Sequence, residues 1–276
     1  MKHDDLKIMA KRLRLNVNTI EIDYGLSLFL TFLSYYPLKN NLVFKGGTSI
    51  KKTLFPEFRF SVDLDFTIFN DDNFENHMNT FFEDILKFDF DGFKFYKLKE
   101  RLVREPNKGF SIFYHFDDEK ENEPIHQPIK IDMNKTQKVL LDPEWRELMV
   151  RPYSFDLSDL SLGKTDGKIQ RMQLREILAE KFHALFNPKR TKARDVYDID
   201  YILSKEKSIL EDKELLDLIK RKVEIRDGSL NLKTIEEKIE ILRDGWNSDL
   251  KDLINDFPSF DEVKERVLTK MKLLNF

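Results

Sequence analysis

The chain has 276 residues, of which 35% are charged and 41% hydrophobic, and its formal net charge is −3. That length suits one large domain or two ordinary ones, and 24 Phe supply ample apolar surface to bury, which excludes a disordered chain. The absence of cysteine excludes disulfides, thiolate zinc sites and cysteine nucleophiles, and the slight negative charge argues against a general polynucleotide coat while leaving room for a local basic cleft.

The opening MKHDDLKIMAKRLRL carries charges where an export signal needs an apolar run. No stretch approaches the roughly 18 apolar residues of a membrane span. A cytoplasmic protein without a membrane partner is therefore expected.

In chain order, residues 1–37 predict two helices. The second carries Ile22, Leu26, Leu28, Phe29 and Leu33 near a helical period and stops before Pro37. Leu42, Val43 and Phe44 form a short apolar strand, broken by Gly46 and Gly47. Thr48 to Phe55 predicts a short helix ended by Pro56. From Ser61 to Phe69 the pattern alternates, with Val62, Leu64, Phe66 and Ile68 on one face and Asp63, Asp65 and Thr67 on the other.

Phe74 to Phe88 predicts a helix, and Phe93–Val103, Phe110–Phe116 and Pro128–Met133 predict strands. Asp117–Glu123 predicts a solvated hairpin tip. After about residue 165 the pattern becomes helical, and the polar stretch Gly163–Lys168 marks the boundary. The expected class is α+β, with a mixed-sheet domain over residues 1–165 and a helical domain over 166–276.

A strand that runs through two glycines into a helix offers backbone N–H groups to phosphate, and Thr48 and Ser49 can add hydroxyl donors. It is not a Walker A loop, because Lys45 precedes the glycines. Asp63 and Asp65, two apart on a strand, share a face and repel each other unless a cation neutralises them. Oxygen donors of this kind suit Mg2+ or Mn2+. Alone, either feature is commonplace: a strand–helix turn, or a polar strand face. A glycine turn, one short helix and then an alternating strand bearing D-x-D together resemble the heart of the polymerase β-like nucleotidyltransferase fold.

Ile129-Lys130-Ile131-Asp132-Met133 can add a third carboxylate from a neighbouring strand. Ile129, Ile131 and Met133 face the core, and Asp132 faces away with Lys130. Asp132 is thus a candidate metal ligand and a candidate base for an attacking hydroxyl.

Two later segments add candidates. On the helix from Gln173 to Phe186, Lys181 lies within the buried stripe of Leu174, Ile177, Leu178, Phe182 and Leu185, either snorkelling out or aimed at nucleotide phosphate. On the next helix Asp195 and Asp198 share a face, and Asp195 points inward with Ile199 and Ile202. A Lys181–Asp195 pair could equally be a structural salt bridge between packed helices. Lys189, Arg190, Lys192 and Arg194 form a basic connection that could contact triphosphate or a nucleic-acid backbone.

The sequence resembles the AbiEii/AbiGii family of nucleotidyltransferases, toxins of type IV toxin–antitoxin systems. The resemblance is carried by Phe44-Lys45-Gly46-Gly47-Thr48-Ser49 and by Arg59-Phe60-Ser61-Val62-Asp63-Leu64-Asp65-Phe66. It continues in Ala179-Glu180-Lys181 with Ala184-Leu185, and in Lys192-Ala193-Arg194-Asp195-Val196-Tyr197-Asp198. It implies a nucleoside triphosphate (NTP) substrate, a divalent metal, and an RNA acceptor such as tRNA. It also implies a cognate antitoxin that need not touch the toxin. It places Asp63 and Asp65 at the metal, where Asp132 is the candidate third ligand. Gly46, Gly47, Thr48, Ser49, Arg59, Ser61, Lys181, Arg194 and Asp198 are then candidates at the nucleotide, with Lys181 and Asp195 in the later catalytic positions and Asp198 competing with Asp195 for the last. Transfer to a protein or small molecule, and a non-catalytic nucleotide- or RNA-binding module, are the alternatives. An intact Asp63, Asp65 and Asp132 set argues against the last.

Overall fold

A computed structural model of the chain describes residues 2–117, 127–149, 166–187, 189–224 and 232–274. It divides into two compact units, Met1–Met172 and Gln173–Phe276.

The first unit is built on a seven-stranded mixed sheet of order β3-β4-β5-β2-β1-β7-β6. The strands are β1 (Leu42–Lys45), β2 (Asp63–Ile68), β3 (Phe93–Glu100), β4 (Lys108–Phe116), β5 (Ile129–Asn134), β6 (Glu144–Glu147) and β7 (Lys168–Arg171). Helices α1 (His3–Leu13), α2 (Val17–Leu33), α3 (Gly46–Thr53) and α4 (Phe74–Ile85) complete it. β2 runs antiparallel to β1 and parallel to β5, and β1 runs parallel to β7.

One face of the sheet is apolar. Phe44, Leu64, Phe66, Phe93, Phe110 and Ile131 join α1, α2 and α4 in a single buried core. α2 is buried almost continuously from Thr19 to Leu33, and its buried acids are paired, Glu21 with His3 and Asp23 with Lys52. Aromatic edges pack it to α4 and the sheet, with Phe29 5.0 Å from Phe81 and 6.4 Å from Phe95 between ring centroids. α3 is tied to α2 by a fully buried ion pair, Lys52 Nζ to Asp23 Oδ2 at 2.8 Å, which Ser27 Oγ supports at 2.8 Å.

The second unit is helical among the described residues. It comprises α5 (Leu174–Phe186), α6 (Arg194–Lys205), α7 (Leu215–Glu224), α8 (Leu232–Ile241), α9 (Trp246–Leu250) and α10 (Phe260–Leu273). α5 packs on α6 and α7, and α10 packs on α6 and α8. Buried charges lock the bundle: Lys222 meets Glu176 at 2.8 Å, and Asp200 meets Arg266 and Lys270, each at 2.8 Å.

The α+β class stands, with these differences in detail. The short helix begins at Gly46 itself, so the glycines form its first turn. Two strands escape the sequence pattern. β6 is an exposed edge strand of Glu144-Trp145-Arg146-Glu147 without alternation, and β7 is only four residues long. Because β7 pairs with β1 and β6, the first unit extends to Met172. Of the expected hairpin tip only Asp117 lies within the described residues, and Gly163 to Thr165 lie outside them. No helix among the described residues is long and apolar enough to cross a membrane.

Candidate active site

The site starts where β1 ends. Lys45 is extended, and Gly46 turns the chain with φ +75°, a conformation that glycine adopts without strain. Lys45 and Asp65 are register partners on β1 and β2. A Cβ on Gly46 would stand 2.6 Å from Asp65 Oδ2, so only glycine lets the carboxylate lie against this turn. At Gly47 a Cβ would stand 2.9 Å from Arg59 Nη2. The buried Arg59 guanidinium fills that space, donates to the Phe60 carbonyl at 3.0 Å and lies 5.2 Å from the Phe58 ring centroid. Arg59 therefore backs the glycine turn.

The hydroxyls of the motif are turned inward. Thr48 Oγ1 donates to the Asp63 carbonyl at 2.6 Å, and Ser49 Oγ donates to the Phe44 carbonyl at 3.4 Å. Both side chains are buried, as is Ser61. These two hydroxyls stitch α3 to the strands on either side. What the turn presents is backbone. The first N–H groups of α3 have no partner within the helix.

β2 holds Asp63 and Asp65 on the face opposite Leu64 and Phe66, and both aspartates are partly exposed. β5 lies parallel beside it with Asp132 in direct register with Asp65. Three carboxylates thus occupy one patch of two adjacent strands. Burial raises the Asp132 carboxyl above its ordinary value; Arg101 opposes that shift and Asp65 adds to it.

Among the described residues no three acidic or imidazole side chains are gathered to hold an ion as they stand. Arg101 lies against Asp132: its Nη2 donates to Asp132 Oδ1 and to the Ile131 carbonyl at 3.4 Å, while its Nε donates to the Phe110 carbonyl at 3.1 Å. Gly109, the register partner of Asp132 on β4, makes room for this. A Cβ there would lie 3.3 Å from Asp132 Oδ1 and 2.7 Å from Val103. The donor set itself fits a hard divalent cation: oxygen ligands on one face, with negative charge that Asp65 and Asp132 impose on each other.

Sequence reasoning missed Arg101 and Gly109. Arg101 stands 31 residues from Asp132 and belongs to no motif. A glycine next to an alternating strand was a usable signal for Gly109, since such glycines mark close approach.

In the helical unit Lys181 is buried and bridges both candidate aspartates, at 2.8 Å to Asp195 and 2.7 Å to Asp198. Neither aspartate excludes the other. Arg190 Nε also meets Asp195 at 2.6 Å. Burial alone would raise the Asp195 carboxyl, but Lys181 and Arg190 outweigh it and hold the carboxyl well below the usual carboxylate range. The basic connection is partly spent inside the unit. Arg190 serves Asp195, and Lys192 meets Asp249 at 3.4 Å. Arg194 is partly buried in the first turn of α6.

A mixed sheet that presents D-x-D on a strand reached through a glycine turn and one short helix defines the nucleotidyltransferase class. The family model described as "Nucleotidyl transferase AbiEii toxin, Type IV TA system" matches residues 28–266, and the chain belongs to that family. A comparison with curated proteins finds no match. Two solved structures share the fold. JHP933 from Helicobacter pylori is 17% identical with a TM-score of 0.54, over 94% of this chain and 93% of that one. An H. pylori protein described as a candidate nucleotidyltransferase is 19% identical with a TM-score of 0.59, over 94% of this chain and 96% of that one.

Proposed function

We propose that this nucleotidyltransferase moves a nucleoside monophosphate from an NTP to an RNA acceptor, tRNA foremost, at Asp63, Asp65 and Asp132. The observation that carries the reading is the register of Asp65 with Asp132, beside a glycine turn that Asp65 itself touches. Mg2+ or Mn2+ held by Asp63, Asp65 and Asp132 would, when bound, offset the charge of the triphosphate and make the acceptor hydroxyl more acidic.

The chain's own groups divide the remaining work. The backbone N–H groups at Gly46 and Gly47 receive phosphate oxygens at the start of α3. Asp132, with its raised carboxyl, accepts the proton of the acceptor hydroxyl. The hydroxyl oxygen bonds to the α-phosphorus, the bond to the bridging oxygen breaks, and pyrophosphate leaves. Lys181 matches the later lysine of the family's pattern, and within its own unit it holds Asp195 and Asp198. This reading implies an activity in the cytoplasm, where NTPs and tRNA are found, and an antitoxin that need not bind the toxin directly.

Incubation with Mg2+, each labelled NTP and total tRNA tests the reading. Label is expected on RNA with the wild-type protein and not with Asp63→Ala. Label on protein or a small molecule would replace RNA as the acceptor. No transfer to any acceptor, with toxicity unchanged by Asp63→Ala, would overturn the catalytic reading.

A further inference from the structure

The sheet face that carries the aspartates does not end with them. Asp63 on β2 is in register with Lys130 on β5, Lys130 with Ser111 on β4, and Ser111 with Lys99 on β3. This row crosses four strands, roughly 14 Å at ordinary strand spacing. Beside it runs a row that joins Phe113 on β4 to Lys97 on β3. A β-bulge between Phe95 and Lys97 inserts Tyr96, which turns to the same side. Tyr96 lies 6.2 Å from the Phe113 ring centroid and 5.5 Å from that of His115, and Lys97 Nζ is 5.7 Å from the Phe113 centroid.

This face is open. Tyr96 is 46% exposed, Lys97, Lys99 and Lys130 are exposed, and Phe113 and His115 are partly so. Among the described residues no salt bridge ties down Lys97, Lys99 or Lys130. A chain whose net charge is −3 therefore concentrates unpaired cations and rings on one sheet face that leads to its carboxylates.

We propose that the open face of β3, β4 and β5 is the platform for a single-stranded segment of the acceptor RNA. The proposal rests on the reading above that the acceptor is RNA. The chemistry suits a polynucleotide strand. Lysines meet phosphates, and aromatic rings stack on bases, which only a single strand leaves accessible. A strand that lies along Lys97, Lys99 and Lys130 delivers its end to Asp63 and Asp132. An acidic peptide would use the lysines but would leave the rings without stacking partners.

The test is fluorescence anisotropy with a labelled single-stranded RNA oligonucleotide, run on wild type, Tyr96→Ala and the double variant Lys97→Ala/Lys99→Ala. Loss of one base stack is expected to weaken binding roughly five- to a hundredfold in Tyr96→Ala. Loss of two phosphate contacts is expected to reduce the slope of log affinity against log salt by about 1.4. Melting curves are expected to match wild type, since the three positions are exposed. Wild-type affinity and salt slope in both variants, while wild type still labels RNA, would overturn the platform and leave the proposed function standing. Equal competition by duplex RNA, or by poly-glutamate, would also overturn it. Failure of wild type to label RNA at all would instead remove the reading on which the platform rests.

Discussion

Each unit of this chain sets acidic side chains against cations, but the two clusters are balanced differently. In the helical unit Asp195 and Asp198 face Lys181 and Arg190, and the aspartates and the lysine are buried. Charge is matched, and the Asp195 carboxyl is held low. In the α/β unit Asp63, Asp65 and Asp132 share one sheet face, and Arg101 meets Asp132. Side-chain exposure is 41% at Asp132 and 2% at Asp195. The Asp132 carboxyl is raised where that of Asp195 is lowered. A matched, dry cluster holds itself together. A more accessible cluster of carboxylates on one sheet face, with its Asp132 carboxyl raised, is placed where a cation can reach it.

The largest test of this contrast is Asp63→Ala. Loss of a metal-holding carboxylate is expected to reduce nucleotide transfer on the order of a thousandfold, since bound-metal charge stabilisation is worth several kcal/mol. The melting temperature should stay within a few degrees of wild type, because Asp63 is partly exposed. A fall of many degrees would mean that Asp63 is structural.

Lys181→Met is the counterpart in the helical unit. It leaves two buried carboxylates together, and breaking a buried pair costs about 3–5 kcal/mol. Urea denaturation should show the loss. An unchanged midpoint would show that the matched cluster does not hold the helices.

Gly46→Ala combines a positive φ with a Cβ 2.6 Å from Asp65, and is expected to cost about 1–3 kcal/mol while it displaces that carboxylate. Weaker Mn2+ binding, read by electron paramagnetic resonance, should accompany the lost stability. Arg101→Ala should act oppositely on the same readout. It removes a cation that competes for Asp132, so Mn2+ is expected to bind several-fold tighter, as one exposed ion pair is worth roughly 1 kcal/mol. Weaker binding would instead make Arg101 a support for Asp132.

The smallest effect is in pH. The folded-state pKa of Asp195 lies below the unfolded value of about 3.9. Its contribution to stability is therefore full well above that value and is lost as pH falls below it toward the folded value. Urea midpoints between pH 6 and pH 3 should fall less in Asp195→Asn than in wild type. A parallel fall would remove Asp195 from the acid response.

Much of this was legible in the sequence because it rests on local periodicity. Alternation in Val62 to Ile68 and in Ile129 to Met133 sorted core from carboxylate face, and burial follows it from Asp63 to Phe66 and along β5, while Thr67 is buried as well. Helical spacing put Lys181 in a buried stripe and Asp195 and Asp198 on one face. Where the hydroxyls of Thr48 and Ser49 donate was not legible, because sequence shows a donor but not the nearest acceptor. Here the acceptors are the carbonyls of Asp63 and Phe44.

By itself the sequence determined the class of fold, the aspartate-bearing strands and the face on which each aspartate sits, because side-chain direction along a strand has a fixed period of two. Tertiary structure decided which strands are neighbours. Only pairing of β2 with β5 brings Asp65 beside Asp132, only pairing of β4 with β5 sets Gly109 against Asp132, and only the return of the chain at Arg101 caps that carboxylate. These contacts join residues far apart along the chain, and their partners are chosen by the packing of the whole sheet rather than by any local pattern.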